Sequence, residues 1–276
     1  MAKIPQSDPL DTLNDKLELS QPRDYLGLSQ VGHPCHRFLQ YYHYWAFDEH
    51  HSAQLRRLFQ VGHDAEDGMI EDLKKVGIIA TDRQETITGV GGHWKGHTDG
   101  KGIDVEDPTD EFLIEFKTHN DKSFKEVKKL KVLKSKPVHY DQMQAYMGYL
   151  GHERGLYMAL NKNTSQYYFE WIEFDEERFD DIKRKQAEII MSDVLLPRVG
   201  NDSPTWFECK MCSASQECFG RREVKDNCRT CQYVDVLPDG EWACGFAWKD
   251  KLLNVKLSTA DQRVGCTQYK LGDMFK

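Results

Sequence analysis

The sequence predicts an α/β fold: a mixed central sheet flanked by helices, with a small C-terminal metal-binding module. Three observations predict it. Helix-period apolar patterning gives way to short alternating segments and then to helix and strand again, the pattern of a sheet covered by helices. The glycine-rich strand-to-helix turn of dinucleotide-binding folds does not occur. Seven of the eight cysteines fall between Cys209 and Cys266, several in C-x2-C pairs. With 276 residues, 39% hydrophobic and 30% charged, the chain has room for one full domain and a small module.

Residues 1–20 are polar and unpatterned and read as a flexible N-terminal arm. The opening residues have no apolar core of a signal peptide, and no run is long enough to span a membrane, so a cytoplasmic protein is expected. Pro34 to Phe47 reads as a helix carrying Phe38, Leu39, Tyr42 and Trp45. A second helix is expected from Ser52 to Lys75, with Leu55, Leu58, Phe59, Gly62, Met69, Ile70 and Leu73 as its inward stripe and Gly77 as its cap. Thr86–Val90 and His93–Asp99 flank Gly91-Gly92, a hairpin signal, and Ile103–Val105 continues the strand region. Glu111–Lys117 is a strongly apolar strand. After a lysine-rich segment, Val138–Leu150 is helical and stops at Gly151. Gly155–Leu160 and Gln166–Phe174 are strands separated by a turn, and Asp175 caps a helix running to about Met191. Pro197, Gly200 and Pro204 mark a linker into the cysteine region.

A net charge of −8 excludes a sequence-independent nucleic-acid coat but not an enzyme with a local basic patch. Without a secretion signal, the cysteine spacing points to metal ligation rather than disulfides.

The acidic residues carry the chemistry. Asp99 ends a strand in Gly96-His97-Thr98-Asp99-Gly100. Glu115 and Lys117 lie two apart in Phe112-Leu113-Ile114-Glu115-Phe116-Lys117 and therefore project from one face, with Phe112, Ile114 and Phe116 on the other. Charged groups in so apolar a strand are costly unless they pair or bind something. Glu66 interrupts the second helix's apolar stripe and faces inward, with His63 one turn earlier. Asp99 and Glu115 can hold Mg2+ or Mn2+ through hard oxygen ligands, with Glu66 or His63 completing the set and Lys117 beside the charge that develops on a phosphate. Asp104 rivals Asp99 by its position in the same segment. Taken alone, Glu115-x-Lys117 reads as a solvent-facing pair and Asp99 as a turn residue; their order after an inward Glu raises the chemical reading.

Gly62-x-x-x-Glu66, Asp99, Glu115-x-Lys117 and Gln142-x-x-x-Tyr146 together resemble the motif series of the RecB-type PD-(D/E)xK nucleases, including phage-type exonucleases. The resemblance implies a restriction-endonuclease-like fold and a Mg2+/Mn2+-dependent deoxyribonuclease, an exonuclease of DNA recombination, repair or processing. It places Gln142 and Tyr146, four apart on one helix face, near the scissile phosphate or the metal's water. His63 departs from the family pattern. Cys35 with Cys209-x2-Cys212-x5-Cys218 resembles the iron–sulfur nucleases of CRISPR adaptation and of AddB-type recombination. There four thiolates hold a 4Fe–4S cluster that ties the domain's ends together, although Zn2+ accepts the same sulfurs. Cys228-x2-Cys231, Cys244 and Cys266 form a second complete set, suited to Zn2+.

The expected organisation is thus an arm over 1–20, a nuclease domain over 21–220 closed by a four-cysteine cluster, and a zinc-binding module over 221–276. Lys122, Lys125, Lys128, Lys129, Lys131, Lys134 and Lys136 form the one dense basic patch and are expected to hold a DNA backbone. Tyr41, Tyr42, Tyr44, Trp45 and Phe47 are expected in the core rather than on bases. The expected partners are DNA, single-stranded or double-stranded with ends, and a recombination or helicase protein, with no membrane. The rival reading is a catalytically silent DNA-end-binding or assembly protein on a nuclease scaffold. A zinc-dependent hydrolase is weaker, because no histidine-rich zinc signature is present.

Overall fold

The computed structural model describes residues 10, 13–14, 23–49, 51–246 and 255–276. The arm expected over 1–20 lies, apart from three positions, outside the described residues. Strands are β1 Leu26–Gly27, β2 Ile78–Thr81, β3 Thr86–Thr88, β4 Trp94–His97, β5 Gly100–Asp104, β6 Glu111–His119, β7 Arg154–Asn161, β8 Tyr167–Glu173, β9 Val234–Val236, β10 Trp242–Cys244 and β11 Val255–Lys256. The longer helices are α1 His36–His43, α2 Ala53–Lys75, α3 Asp121–Ser135, α4 Pro137–Leu150 and α5 Glu176–Met191.

The central sheet has the order β2-β5-β6-β7-β8, with β6 and β7 parallel and the other pairs antiparallel. Parallel neighbours need a long crossover, and α3 with α4 supplies it. One sheet face packs Phe112, Ile114, Phe116, Leu156 and Met158 against Met69, Ile70 and Leu73 of α2. The opposite face gives Leu113, Tyr157 and Ala159 to a larger core with Phe124, Val127, Met143 and Ile182. Alternation along β6 thus feeds two cores from one strand, as its sequence requires. This is the mixed sheet flanked by helices that was expected.

Local signals explain most boundaries. Ser52 caps α2 by accepting from the Leu55 amide, Asp175 caps α5 by accepting from Arg178, and Gly151 ends α4 in the left-handed region at φ 77°. Two expectations are corrected, and two segments given no element by the sequence gain one. The first helix stops at His43 because Trp45 turns back at φ 51°, sending Ala46 and Phe47 into the core as a return loop. The α2 stripe is core only in its C-terminal half: Leu58 and Phe59 are 44% and 56% exposed, since they line an open cavity rather than a packed face. Ile78–Thr81, read as part of no element, is the edge strand β2. The lysine-rich segment is helical but broken at Lys131 (φ 67°), where the Val132 amide turns to Glu170 Oε2 at 3.0 Å. Tyr41, Tyr42, Tyr44, Trp45 and Phe47 are all buried, as expected.

Residues 226–246 and 255–276 fold back onto the domain's beginning. Arg229, 2% exposed, lies between Trp45 and Trp242, its guanidinium 3.6 and 4.4 Å from the ring centres. It donates to the carbonyls of His43 (2.9 Å) and Asp24 (2.8 Å) and to Gln262 Oε1 (2.8 Å). Burial pulls its pKa down to about 9, and the stacked rings with three acceptors make the buried cation tolerable.

At the sheet's centre Gly102 stands opposite Phe112, and a β-carbon there would lie 2.1 Å from the ring. Gly102→Ala is therefore expected to cost about 1–3 kcal/mol through overpacking, read as a lower urea midpoint. An unchanged midpoint would mean the Phe112 ring has room to move.

Candidate active site

The site forms where β4 leaves the small β1-β4-β3 sheet and the chain enters β5 of the central one. Asp99 lies between those strands. The β5–β6 register ends at Gly100 opposite Ile114, so the Phe116 amide has no β5 carbonyl to meet, and Asp99 Oδ2 accepts it at 2.7 Å. That bond aims the carboxylate along β6 towards Glu115 and Lys117. Asp104, the rival, stands past the other end of this register opposite Ile78, and its Oδ1 caps the Glu106 amide; it is no part of the site.

Glu115 is fully buried. Its Oε1 accepts from Lys117 Nζ and from Gln142 Nε2 at 2.8 Å. Gln142 and Tyr146, far from being a polar pair on a helix surface, are buried and face the sheet from α4. Tyr146 hydrogen-bonds Gln142 and the His97 backbone, linking α4 to the strand that leads into Asp99. Gly96 permits this approach, because a β-carbon there would lie 2.6 Å from the Tyr146 hydroxyl.

Glu66 enters from α2. Its Oε2 lies 3.5 Å from His63 Nδ1 and 3.6 Å from Arg83 Nη2. His63 is largely exposed and sits at the rim beside Glu66, and Arg83 was not anticipated. The electrostatics tie the three carboxylates together. Burial raises Glu115 to about 8, Lys117 works against this, and the charges of Asp99 and Glu66 reinforce it. Asp99 and Glu66 are also raised, foremost by burial, and Glu66 further by Asp99. Burial works to lower Lys117, but the charges of Glu115, Asp99 and Glu66 outweigh it and hold the ammonium form.

Glu115 Oε2 and Glu66 Oε2 are buried oxygens without a hydrogen bond. Hard, electron-rich oxygens in that state fit a divalent cation. Among the described residues no group of three or more His, Cys, Asp or Glu side chains is placed closely enough to hold a metal ion.

Sequence reading missed His119 and His139, which extend the same surface. His119 lies two residues beyond Lys117 on β6, and His139 three before Gln142 on α4; the spacing alone could have found both.

The cysteines converge in two places. Cys35, Cys209, Cys212 and Cys218 line one cavity of about 330 Å3. Cys35 caps α1, its Sγ 3.4 Å from the Phe38 amide, and Arg198 Nε donates to Cys218 Sγ at 3.2 Å. Cys212 is pushed up to about 11 by burial, with the other three thiols adding to the rise. Cys228, Cys231, Cys244 and Cys266 line a second cavity of about 20 Å3. All eight are free thiols. Among the described residues no helix is long and apolar enough to cross a membrane.

No protein-family model matches this chain, and neither does any curated protein. Several solved structures resemble it. One, named SSO0001, is 19% identical over 75% of this chain and 91% of its own, with a TM-score of 0.44. The alkaline exonuclease LHK-Exo from Laribacter hongkongensis is 17% identical over 65% and 90%, with a TM-score of 0.41. A phage-related exonuclease from Haemophilus somnus 129PT is 14% identical over 64% and 94%, with a TM-score of 0.45.

The raised Glu115 carboxyl sets a pH dependence. Between its ordinary 4.5 and about 8, the folded state holds a proton that the unfolded chain has released. Stability contributed by this group is therefore lost as pH rises through that window. A divalent cation competes with the proton, so Mg2+ should raise the melting temperature more at pH 8 than at pH 6. Thermal unfolding with Mg2+ or EDTA at both pH values checks this, and a larger gain at pH 6 would contradict it.

Proposed function

We propose that this chain is a PD-(D/E)xK nuclease that hydrolyses DNA phosphodiesters with Mg2+ or Mn2+, working from strand ends in recombination, repair or processing. One observation carries the reading: three carboxylates from different elements face one another beside a lysine, and the fully buried Glu115 keeps one oxygen without a hydrogen bond. A silent scaffold has no use for such an arrangement, which costs stability.

Asp99, Glu115 and Glu66 would hold the cation, with His63 at the rim. When bound, the cation polarises a phosphoryl oxygen and acidifies a water. Lys117 keeps a positive charge where charge develops on the phosphate and can orient the attacking water. Gln142 fixes the Glu115 carboxylate by one oxygen and leaves the other facing the site. Tyr146 holds Gln142 in place and locks α4 to the β4–β5 crossover. The end preference is the part that the family resemblance supplies.

For the cysteines, their grouping around two cavities supports a division of labour. Cys35, Cys209, Cys212 and Cys218 edge one cavity and would hold the 4Fe–4S cluster that the resemblance implies, whereas Cys228, Cys231, Cys244 and Cys266 edge another and would hold Zn2+. The first would tie late residues to Cys35, the second would close residues 228 to 266 on themselves, and both would restrict the unfolded chain. Lys122, Lys125, Lys128, Lys129, Lys131 and Lys134 stand exposed along α3 and would meet phosphates of the bound DNA.

Lys117→Ala and Asp99→Ala should each lower the cleavage rate with Mg2+ or Mn2+ by at least on the order of 10²–10³, with circular dichroism unchanged. Digestion at the parent's rate by both would remove the nuclease assignment. Anaerobically purified protein should be brown and carry iron plus one zinc, with Cys218→Ser removing the iron and Cys231→Ser the zinc. Zinc alone would refute the iron–sulfur assignment.

A further inference from the structure

The cleft is a cavity of about 500 Å3 with His63, Glu66 and Lys117 in one part and His119, Ser123, Lys136, His139 and Lys162 in the other, and Leu58 and Phe59 also line it. We infer that the part beyond Lys117 is a phosphate-binding subsite for the nucleotide flanking the scissile bond, with its base resting on Phe59. The inference rests on the nuclease reading and names the part of the substrate this half of the cleft would grip.

Three observations support it. The first is continuity. Glu115, Lys117 and His119 alternate along one face of β6, and His139, Gln142 and Tyr146 run along the facing side of α4. The acidic end of this double row ends at Lys117, and the next stretch carries no carboxylate. A strand whose scissile phosphate reached Lys117 would lay its neighbouring phosphate there.

The second is preorganisation. The Tyr157 hydroxyl lies 2.8 Å from His119 Nε2 and 3.0 Å from His139 Nδ1, and Ser123 Oγ lies 3.1 Å from His119 Nδ1. The two imidazoles stack at 5.8 Å. Burial above all, then Lys136, Lys117 and Lys162, lowers His119 to about 4, so it adds rigid polar atoms without adding charge. Lys162 is held at the rim by its amide, which donates to the His119 carbonyl at 2.9 Å. Lys136 pairs only with the half-exposed Glu126, at 2.9 Å. Such a pair is worth little and yields to a phosphate. Lys117 is matched by Glu115, so Lys136 and Lys162 make the end of the cavity away from Glu66 locally positive in a chain of net charge −8.

The third is the apolar rim. Leu58 and Phe59 continue the α2 stripe but stay exposed at the edge of the cavity. An exposed aromatic ring beside a cationic pocket is the arrangement on which an unpaired base stacks.

The test measures binding of 5′-phosphorylated, 3′-phosphorylated and unphosphorylated DNA hexamers to the full chain, with Ca2+ replacing Mg2+. Lys136→Ala/Lys162→Ala should weaken binding about tenfold or more and lower the salt slope by about one to two. Phe59→Ala should weaken it about tenfold without changing that slope. Lys183→Ala, an exposed cation on α5, should bind as the parent does. A loss confined to one phosphorylated end identifies a terminal phosphomonoester as the occupant; an equal loss on all three identifies the internal diester. Parent-like affinity and slope in the double variant overturn the subsite. Cleavage by the parent, assayed separately with Mg2+, decides the nuclease reading independently.

Discussion

The structure around the cleft depends on one constraint: Glu115 is buried in the middle of an apolar strand and must be held. Phe112, Ile114 and Phe116 bury one face of β6 against α2, which forces Glu115 and Lys117 to the other. There Gln142 and Lys117 satisfy one carboxylate oxygen and leave the other open. Everything that meets this group is fixed by backbone geometry: Asp99 by the end of the β5–β6 ladder, Gln142 by α4, Glu66 by α2. Such a carboxylate costs stability, and the fold supports that cost with two separate apolar cores.

Much of this was legible in the sequence because it depends on local periodicity. Glu115 and Lys117 are two apart on a strand, Gln142 and Tyr146 four apart on a helix, and Glu66 breaks an apolar stripe; each pattern reports a shared face directly. What was hidden depends on pairing register and on where the sheet ends. Asp99 and Asp104 look alike in a string of letters, and only the register that sets Gly100 against Ile114 separates them. Likewise, Leu58 and Phe59 have the spacing of core residues, but they line an open cavity instead of a packed core. Arg229 gave no signal at all: a charged residue inside a C-x2-C knuckle reads as solvated, yet it is the stacked centre of the contact between Trp45 and Trp242.

The Cys35 group and Arg229 share a consequence. Each joins residues far apart in sequence: Cys35 with Cys209–Cys218, and Trp45 with residues 229 and 242. The cleft lies between these early and late segments in the sequence, built from residues 62 to 162. Its own contacts, from α2 to β6 to α4, set the distance between carboxylates, while the flanking ties restrain α1 and the return loop that follows it.

The central claim is that Glu66, Asp99 and Glu115 share one divalent cation. Calorimetric titration of Mn2+ into the parent, Glu66→Gln, Asp99→Asn and Glu115→Gln tests it most directly. The account predicts one tight site in the parent, weakened about tenfold or more by every single substitution. Parent-like Mn2+ affinity in any two of the three variants would contradict it.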